Sequence, residues 1–115
     1  MSERITKRMT NCEFLSLFDG IEVDGISYVD ELSNITNIWS PTVEAVEGFE
    51  GESVSFNDGD NEFVLYSAES FEEVYFGDEG VYFSDGGLSD FVVMCSNSAE
   101  VESRMKALGY IGGIK

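Results

Sequence analysis

From residue 9 to residue 103 the chain carries 22 of its 23 acidic residues and not one lysine or arginine. The six cations, Arg4, Lys7, Arg8, Arg104, Lys106 and Lys115, all lie near the two ends. Ordinary protein surfaces intersperse both signs, and a one-sign field of this size opposes compaction by self-repulsion. Such a chain folds only if apolar burial offsets that repulsion as well as the ordering entropy. Here 43% of the 115 residues are hydrophobic, among them 9 Phe, 5 Tyr and 1 Trp. That supply argues against the disorder that a formal charge of −17 would otherwise imply. One acidic domain over residues 1–115 is expected.

Thr10 with Glu13 three residues on is a capping box, and Met9 is placed to pack on Phe14, so a helix is expected to begin here. Phe14, Leu15, Leu17 and Phe18 give it an apolar face, and Asp19-Gly20 ends it. From Ile21 the apolar period changes to two. Ile21, Val23, Ile26 and Tyr28 flank Asp24-Gly25, a pair suited to a type I′ hairpin turn. Residues 32–39 fit a helical turn or a strand and are read as a connection, broken by Pro41, the single proline.

Strands are expected over 42–46, 53–56, 62–66, 71–76 and 81–83, where aromatic and β-branched residues dominate. Turns fall at Asn57-Asp58-Gly59-Asp60 and Gly77-Asp78-Glu79-Gly80. The continuous apolar run 91–95 predicts a central strand buried on both faces. Asn97 or Ser98 then caps a last helix with Val101, Met105 and Leu108 on one face and Gly109 at its stop. Glu100 and Glu102 near its start, with Arg104 and Lys106 near its end, complement the helix dipole. The fold class these elements assemble is α+β: a mostly antiparallel sheet of about five or six strands with an N-terminal and a C-terminal helix packed on it.

The chain has no histidine, which removes Ser-His-Asp and Cys-His catalysis and His-metal sites. Gly86-Gly87 and Gly112-Gly113 lack the spacing and the basic residue of a phosphate loop. Asp58, Asp60, Glu62 and Glu69 match positions of a calcium loop, but Phe63 stands where the sharp turn needs glycine. No catalytic residue, metal or cofactor is expected. Cys12 and Cys95 read as free, buried thiols of a reducing compartment. Residues 1–11 have no apolar signal core and no run approaches the roughly 18 apolar residues of a membrane span, so the cytoplasm is the expected location.

What remains is the acidic surface. Glu44, Glu47, Glu50 and Glu52 run up to and into one strand; Asp58, Asp60 and Glu62 lie at its turn; Glu69, Glu72, Glu73, Asp78, Glu79, Asp85 and Asp90 follow. These are the candidate partner-binding residues. Carboxylates at i and i+2 on a strand stand about 6.6 Å apart on one face, from a rise of roughly 3.3 Å per residue. Rows of that kind imitate the phosphates that a nucleic-acid-binding protein meets with lysine and arginine.

In size, charge and cation-free interior the chain resembles the small acidic DNA-mimic proteins, many of them phage-encoded, that block restriction enzymes, CRISPR effectors or other DNA-binding host proteins. The resemblance implies stoichiometric inhibition of a basic DNA-binding protein or nuclease, without direct nucleic-acid binding, membrane contact or catalysis. An immunity protein or antitoxin that plugs a basic nuclease toxin would use the same charge. A third reading is acidity that serves solubility alone, with no charge-specific partner. A mimic needs an elongated array, whereas a plug needs one complementary patch. A homodimer is compatible with the composition, and Arg4, Lys7 and Arg8 read as part of a solvated, mobile end.

Overall fold

The computed structural model describes residues 3–48, 51–66, 68–85 and 90–111. Glu50 and the pairs Gly86-Gly87 and Gly112-Gly113 lie outside them. The first helix, α1 (Asn11–Leu17), starts where its cap places it. The Glu13 carboxylate accepts from the Thr10 N–H at 3.0 Å, and the Thr10 hydroxyl accepts from the Glu13 N–H at 3.1 Å. Seven residues do not hold a helix by themselves, because nucleation costs more than two turns return. Burial of its apolar face stabilises it instead. Phe14 is fully buried among Phe18, Phe56, Phe71, Phe83 and Phe91, with ring centroids 5.2 to 6.4 Å away. Truncating such a side chain to alanine costs about 3–5 kcal/mol.

A six-stranded antiparallel sheet forms the larger layer, from β1 (Glu3–Arg4), β2 (Gly25–Val29), β3 (Ile35–Trp39), β7 (Glu73–Phe76), β8 (Gly80–Ser84) and β9 (Asp90–Met94). Their spatial order is β1-β7-β8-β9-β2-β3. The second sheet is an antiparallel meander of β4 (Thr42–Gly48), β5 (Gly51–Asn57) and β6 (Glu62–Leu65), followed by a single 3-10 turn, Ala68–Ser70.

Register decides which face of the large sheet is the core. Phe83 lies opposite Phe91, Val81 opposite Val93, and Val93 opposite Ile26, which pairs in turn with Ile38. All six are at most 1% exposed. Over that face lie α1, the second sheet and α2 (Ser98–Ala107). Phe56 and Phe63 stand 5.4 and 5.3 Å from Phe91. Helix α2 buries Val101 and Met105, and its Ser98 hydroxyl donates to the Gly77 carbonyl at 2.8 Å. No helix among the described residues is long and apolar enough to cross a membrane.

The α+β class, the antiparallel pairing and the two helices match the expectation; several finer points do not. Asp24-Gly25 makes no hairpin turn. Gly25 opens β2, and a Cβ there would lie 2.8 Å from the Trp39 ring and 3.2 Å from the Met94 methyl. The glycine admits a close neighbour; its φ is not positive. The hairpin comes later, between β2 and β3, where one Asp30 carboxylate oxygen accepts from the Leu32 and Asn34 N–H groups, both at 2.9 Å. Residues 35–39, expected as a connection, are therefore strand β3. The strands also divide between two sheets. After Trp39 the backbone turns at Ser40, at φ +48°, and Pro41 leads into the second layer.

The run 91–95 is central but alternates, with Phe91, Val93 and Cys95 buried and Val92 and Met94 half-exposed. Asn97 precedes α2 without a side-chain capping bond. Leu108 is 45% exposed, past the end of the helix, and Gly109 supplies the left-handed stop at φ +84°. Cys12 is exposed, not buried. The N-terminal segment is not a loose end. β1 pairs with β7, the Ile5 N–H donates to the Glu72 carbonyl at 2.8 Å, and the Thr6 N–H donates to the Tyr110 carbonyl at 2.7 Å. The Lys7 ammonium sits 4.8 Å from the centre of the Tyr110 ring.

Candidate acidic surface

None of the described carboxylate side chains is buried. On the solvent side of the second sheet, Glu44, Ser55, Asn57 and Glu62 form one hydrogen-bonded unit. The Asn57 amide donates to Glu44 at 3.2 Å and to the Ser55 hydroxyl at 3.0 Å, and that hydroxyl donates to Glu62 at 2.7 Å. Ser55 is fully covered. Two carboxylates from different strands are thus seated on a polar pair of the middle strand, with no cation on these strands to neutralise them.

The turn beyond extends this patch. One oxygen of Asp58 accepts from the Asn61 N–H at 2.7 Å and from the Asp60 N–H at 2.9 Å. These bonds, that from Asn61 first, hold the Asp58 carboxyl below its ordinary value. Asp60 is exposed beside it. Glu44, Asp58, Asp60 and Glu62 therefore gather at one end of the β4–β6 layer.

The other candidates fall in smaller groups. Glu47 and Glu52 oppose each other at the far end of the β4–β5 hairpin, a like-charge pairing that weakens it. Asn11 of α1 ties that hairpin down: its amide donates to the Glu52 and Tyr66 carbonyls at 2.9 and 2.8 Å, and its oxygen accepts from the Ala68 N–H at 2.7 Å. Glu73 and Asp90 flank Ser84 in one cross-strand row of the large sheet. Asp78 and Glu79 sit on the β7–β8 turn, which is held by the Cys95 N–H donating to the Glu79 carbonyl at 3.0 Å.

Glu69, Glu72 and Asp85 form a different setting. They line a shallow hollow together with Arg4, Lys7 and Arg8, and Arg8 approaches Glu69 to 3.9 Å. These three face the chain's own cations, because β1 folds back on β7; they are the weakest of the candidates for meeting a basic partner. Glu50 lies outside the described residues. The expected i, i+2 rows along single strands are replaced by pairs brought together across strands.

Trp39, Ile35 and Tyr75 are an exposed apolar feature that charge reasoning misses. They are 60%, 64% and 40% exposed on the sheet face opposite the core. The one sequence signal is that Tyr75 alternates with Val74 and Phe76, so it must point away from them. The described molecule measures 45 × 30 × 29 Å along its principal axes, which makes it one and a half times as long as it is wide. No family model, no curated protein and no solved structure matches this chain.

Proposed function

We propose that this chain is a stoichiometric cytoplasmic inhibitor that docks on a basic DNA-binding protein and excludes DNA from it, without catalysing a reaction. The observation that carries this is the exposed, cation-free distribution of carboxylates, fixed on strands and tight turns. Charges already positioned spare the partner the ordering cost that a flexible acidic tail would impose. A one-sign field raises the encounter rate with a basic surface and makes association fall steeply with salt.

One observation favours the second reading, an immunity protein or antitoxin filling the basic site of a nuclease. The tightest group of acids, Glu44, Asp58, Asp60 and Glu62, is a single patch at one end. The test is affinity capture from bacterial lysate at low and high salt, with retained proteins identified and then challenged with duplex DNA. The expected result is a basic DNA-binding protein, retained at low salt and displaced by DNA. Recovery of no basic nucleic-acid protein at low salt overturns the proposal. Doubly reversed variants separate the two readings. For a mimic, E44K/E62K and E73K/D90K each weaken binding in part; for a plug, one pair abolishes it and the other leaves it unchanged.

A further inference from the structure

The core side of the large sheet is covered by both helices and the second sheet, and the opposite side carries an apolar field. The registers set its rows. Gly80, Met94, Gly25 and Trp39 lie side by side across four strands, and the next row runs Tyr75, Tyr82, Val92, Ser27, Asn37. A third row brings Val29 and Ile35 beside Asp90. The first two rows, about 6.6 Å apart, run up to roughly 19 Å across the strands at about 4.8 Å each, and Val29 and Ile35 extend them on the β2–β3 side, where the third row is otherwise polar.

Its aromatic side chains are held in place. The Trp39 ring lies against Gly25, where a Cβ would come within 2.8 Å. Tyr75 and Tyr82 crowd the corresponding position of Gly77 at 3.0 and 3.3 Å and meet each other with centroids 5.6 Å apart. Rings seated over glycines lose little freedom on being covered. Carboxylates stand at both ends of the strands: Glu73, Asp90 and Glu31 at one, Asp24, Asp78 and Glu79 at the other. Arg4, at the far edge beside Glu73, is the one cation in these rows among the described residues.

We infer that this face is the central docking surface for the basic partner, and that the partner brings to it an apolar element flanked by lysine or arginine. The inference rests on the inhibitor reading and specifies the partner's chemistry. A groove built for phosphates alone would leave Trp39, Ile35 and Tyr75 in water and gain nothing from them. An aromatic centre with a charged rim is instead the layout of a protein interface, in which the covered centre supplies affinity and the rim supplies steering. A second copy of this chain fits badly, because it would set its own carboxylate rim against this one.

Trp39 is the only tryptophan, so its emission reports on this face alone. The probes are two synthetic peptides with three lysines at each end, one with Val-Ile-Val at its centre and the other with Ser-Gly-Ser. At about 0.15 M salt, the aliphatic-centred peptide binds the full chain at least about tenfold more tightly and shifts Trp39 emission to the blue. The double substitution Trp39→Ala, Ile35→Ala removes that advantage and leaves the serine-centred peptide's affinity as it was; Ile35→Ala alone, which keeps the reporter, reduces it in part. Equal affinity for the two peptides, or tight binding without a Trp39 shift, overturns the inference while leaving the inhibitor reading intact. A blue shift that grows with protein concentration alone assigns the face to self-association and also overturns it. Failure of both peptides to bind at low salt strikes down the two readings together.

Discussion

Tyr110, in the turn after α2, interacts with the Glu13 carboxylate at the start of α1 and so couples the two helices. Burial first, then the hydrogen bond to Glu13, pushes the phenol far above its ordinary value. The same bond, followed by that from the Thr10 N–H, holds the Glu13 carboxyl below its ordinary 4.5.

A carboxyl whose folded value is depressed contributes stability that is present above its unfolded value and lost as pH falls through the folded one. Tyr110→Phe removes the donor without changing net charge. Its thermal midpoint at pH 7 is expected to fall below wild type, and the gap to close as the pH is lowered through the folded value of Glu13. Circular dichroism melts from neutral to acid pH read both, and a gap independent of pH would refute the assignment.

Arg104 reaches from α2 to the end of α1, which has no basic residue in its own last turn. One guanidinium nitrogen donates to the Ser16, Leu17 and Asp19 carbonyls at 3.3, 3.0 and 2.9 Å, while Nε donates to Glu100 at 3.1 Å. Arg104→Ala should cost about 1–3 kcal/mol, read as a lower urea midpoint with an unchanged slope. Arg104→Lys should recover only part of it, since a lysine has one nitrogen to meet the carbonyls and no second one to hold Glu100 at the same time. Full recovery would mean that the charge alone matters.

At Gly80 a Cβ would lie 2.2 Å from the Val93 carbonyl oxygen and 2.8 Å from the Met94 Cα. Both are backbone atoms of the neighbouring strand, so relief requires β8 and β9 to separate. Gly80→Ala is expected to destabilise by about 1–3 kcal/mol and to raise amide exchange at Val93 and Cys95. Gly59→Ala, in open space at φ +96°, meets only left-handed strain of roughly 1–2 kcal/mol and leaves those amides protected.

The two thiols should separate cleanly. Cys12 is exposed at the rim of a groove beside α1, whereas Cys95 is buried, and burial raises its thiol above the ordinary value. An aromatic disulfide reagent is expected to titrate one thiol in the native chain and two in denaturant. Two fast native thiols would contradict the burial of Cys95 just past β9.

Both helices are legible from the sequence because their signals are local: Thr10 and Glu13 are three residues apart, and Gly109 sits at a chain end of α2. Strand β3 is obscured by its own composition. Ile35, Ile38 and Trp39 repeat at i, i+3, i+4, the spacing of a helix face, because the strand exposes two of its three large apolar residues. Asp24-Gly25 reads as a turn, but what Gly25 accommodates is Trp39, from a strand not yet formed when local chemistry is weighed.

The acidic surface was legible as an inventory and not as an arrangement. The gap in lysine and arginine is visible at once in the chain. The seating of Glu44 and Glu62 on Asn57 and Ser55 depends on cross-strand register. The meeting of Glu69, Glu72 and Asp85 with Arg4, Lys7 and Arg8 depends on Glu3 pairing with Val74. Neither leaves a periodic trace.

The pairing of β2 with β9 puts Gly25 opposite Met94 in the middle of the large sheet, and Thr6 bonds to Tyr110 across 104 positions. Folds dominated by such distant contacts close in milliseconds to seconds, whereas synthesis delivers roughly 5–20 residues per second. Phe14 therefore emerges several seconds before Phe83 and Phe91 exist to cover it. During that interval the nascent chain is a string of aromatic residues and carboxylates, and neighbouring copies repel one another. The carboxylates that cover the finished surface are therefore expected to hold unfinished chains apart as well.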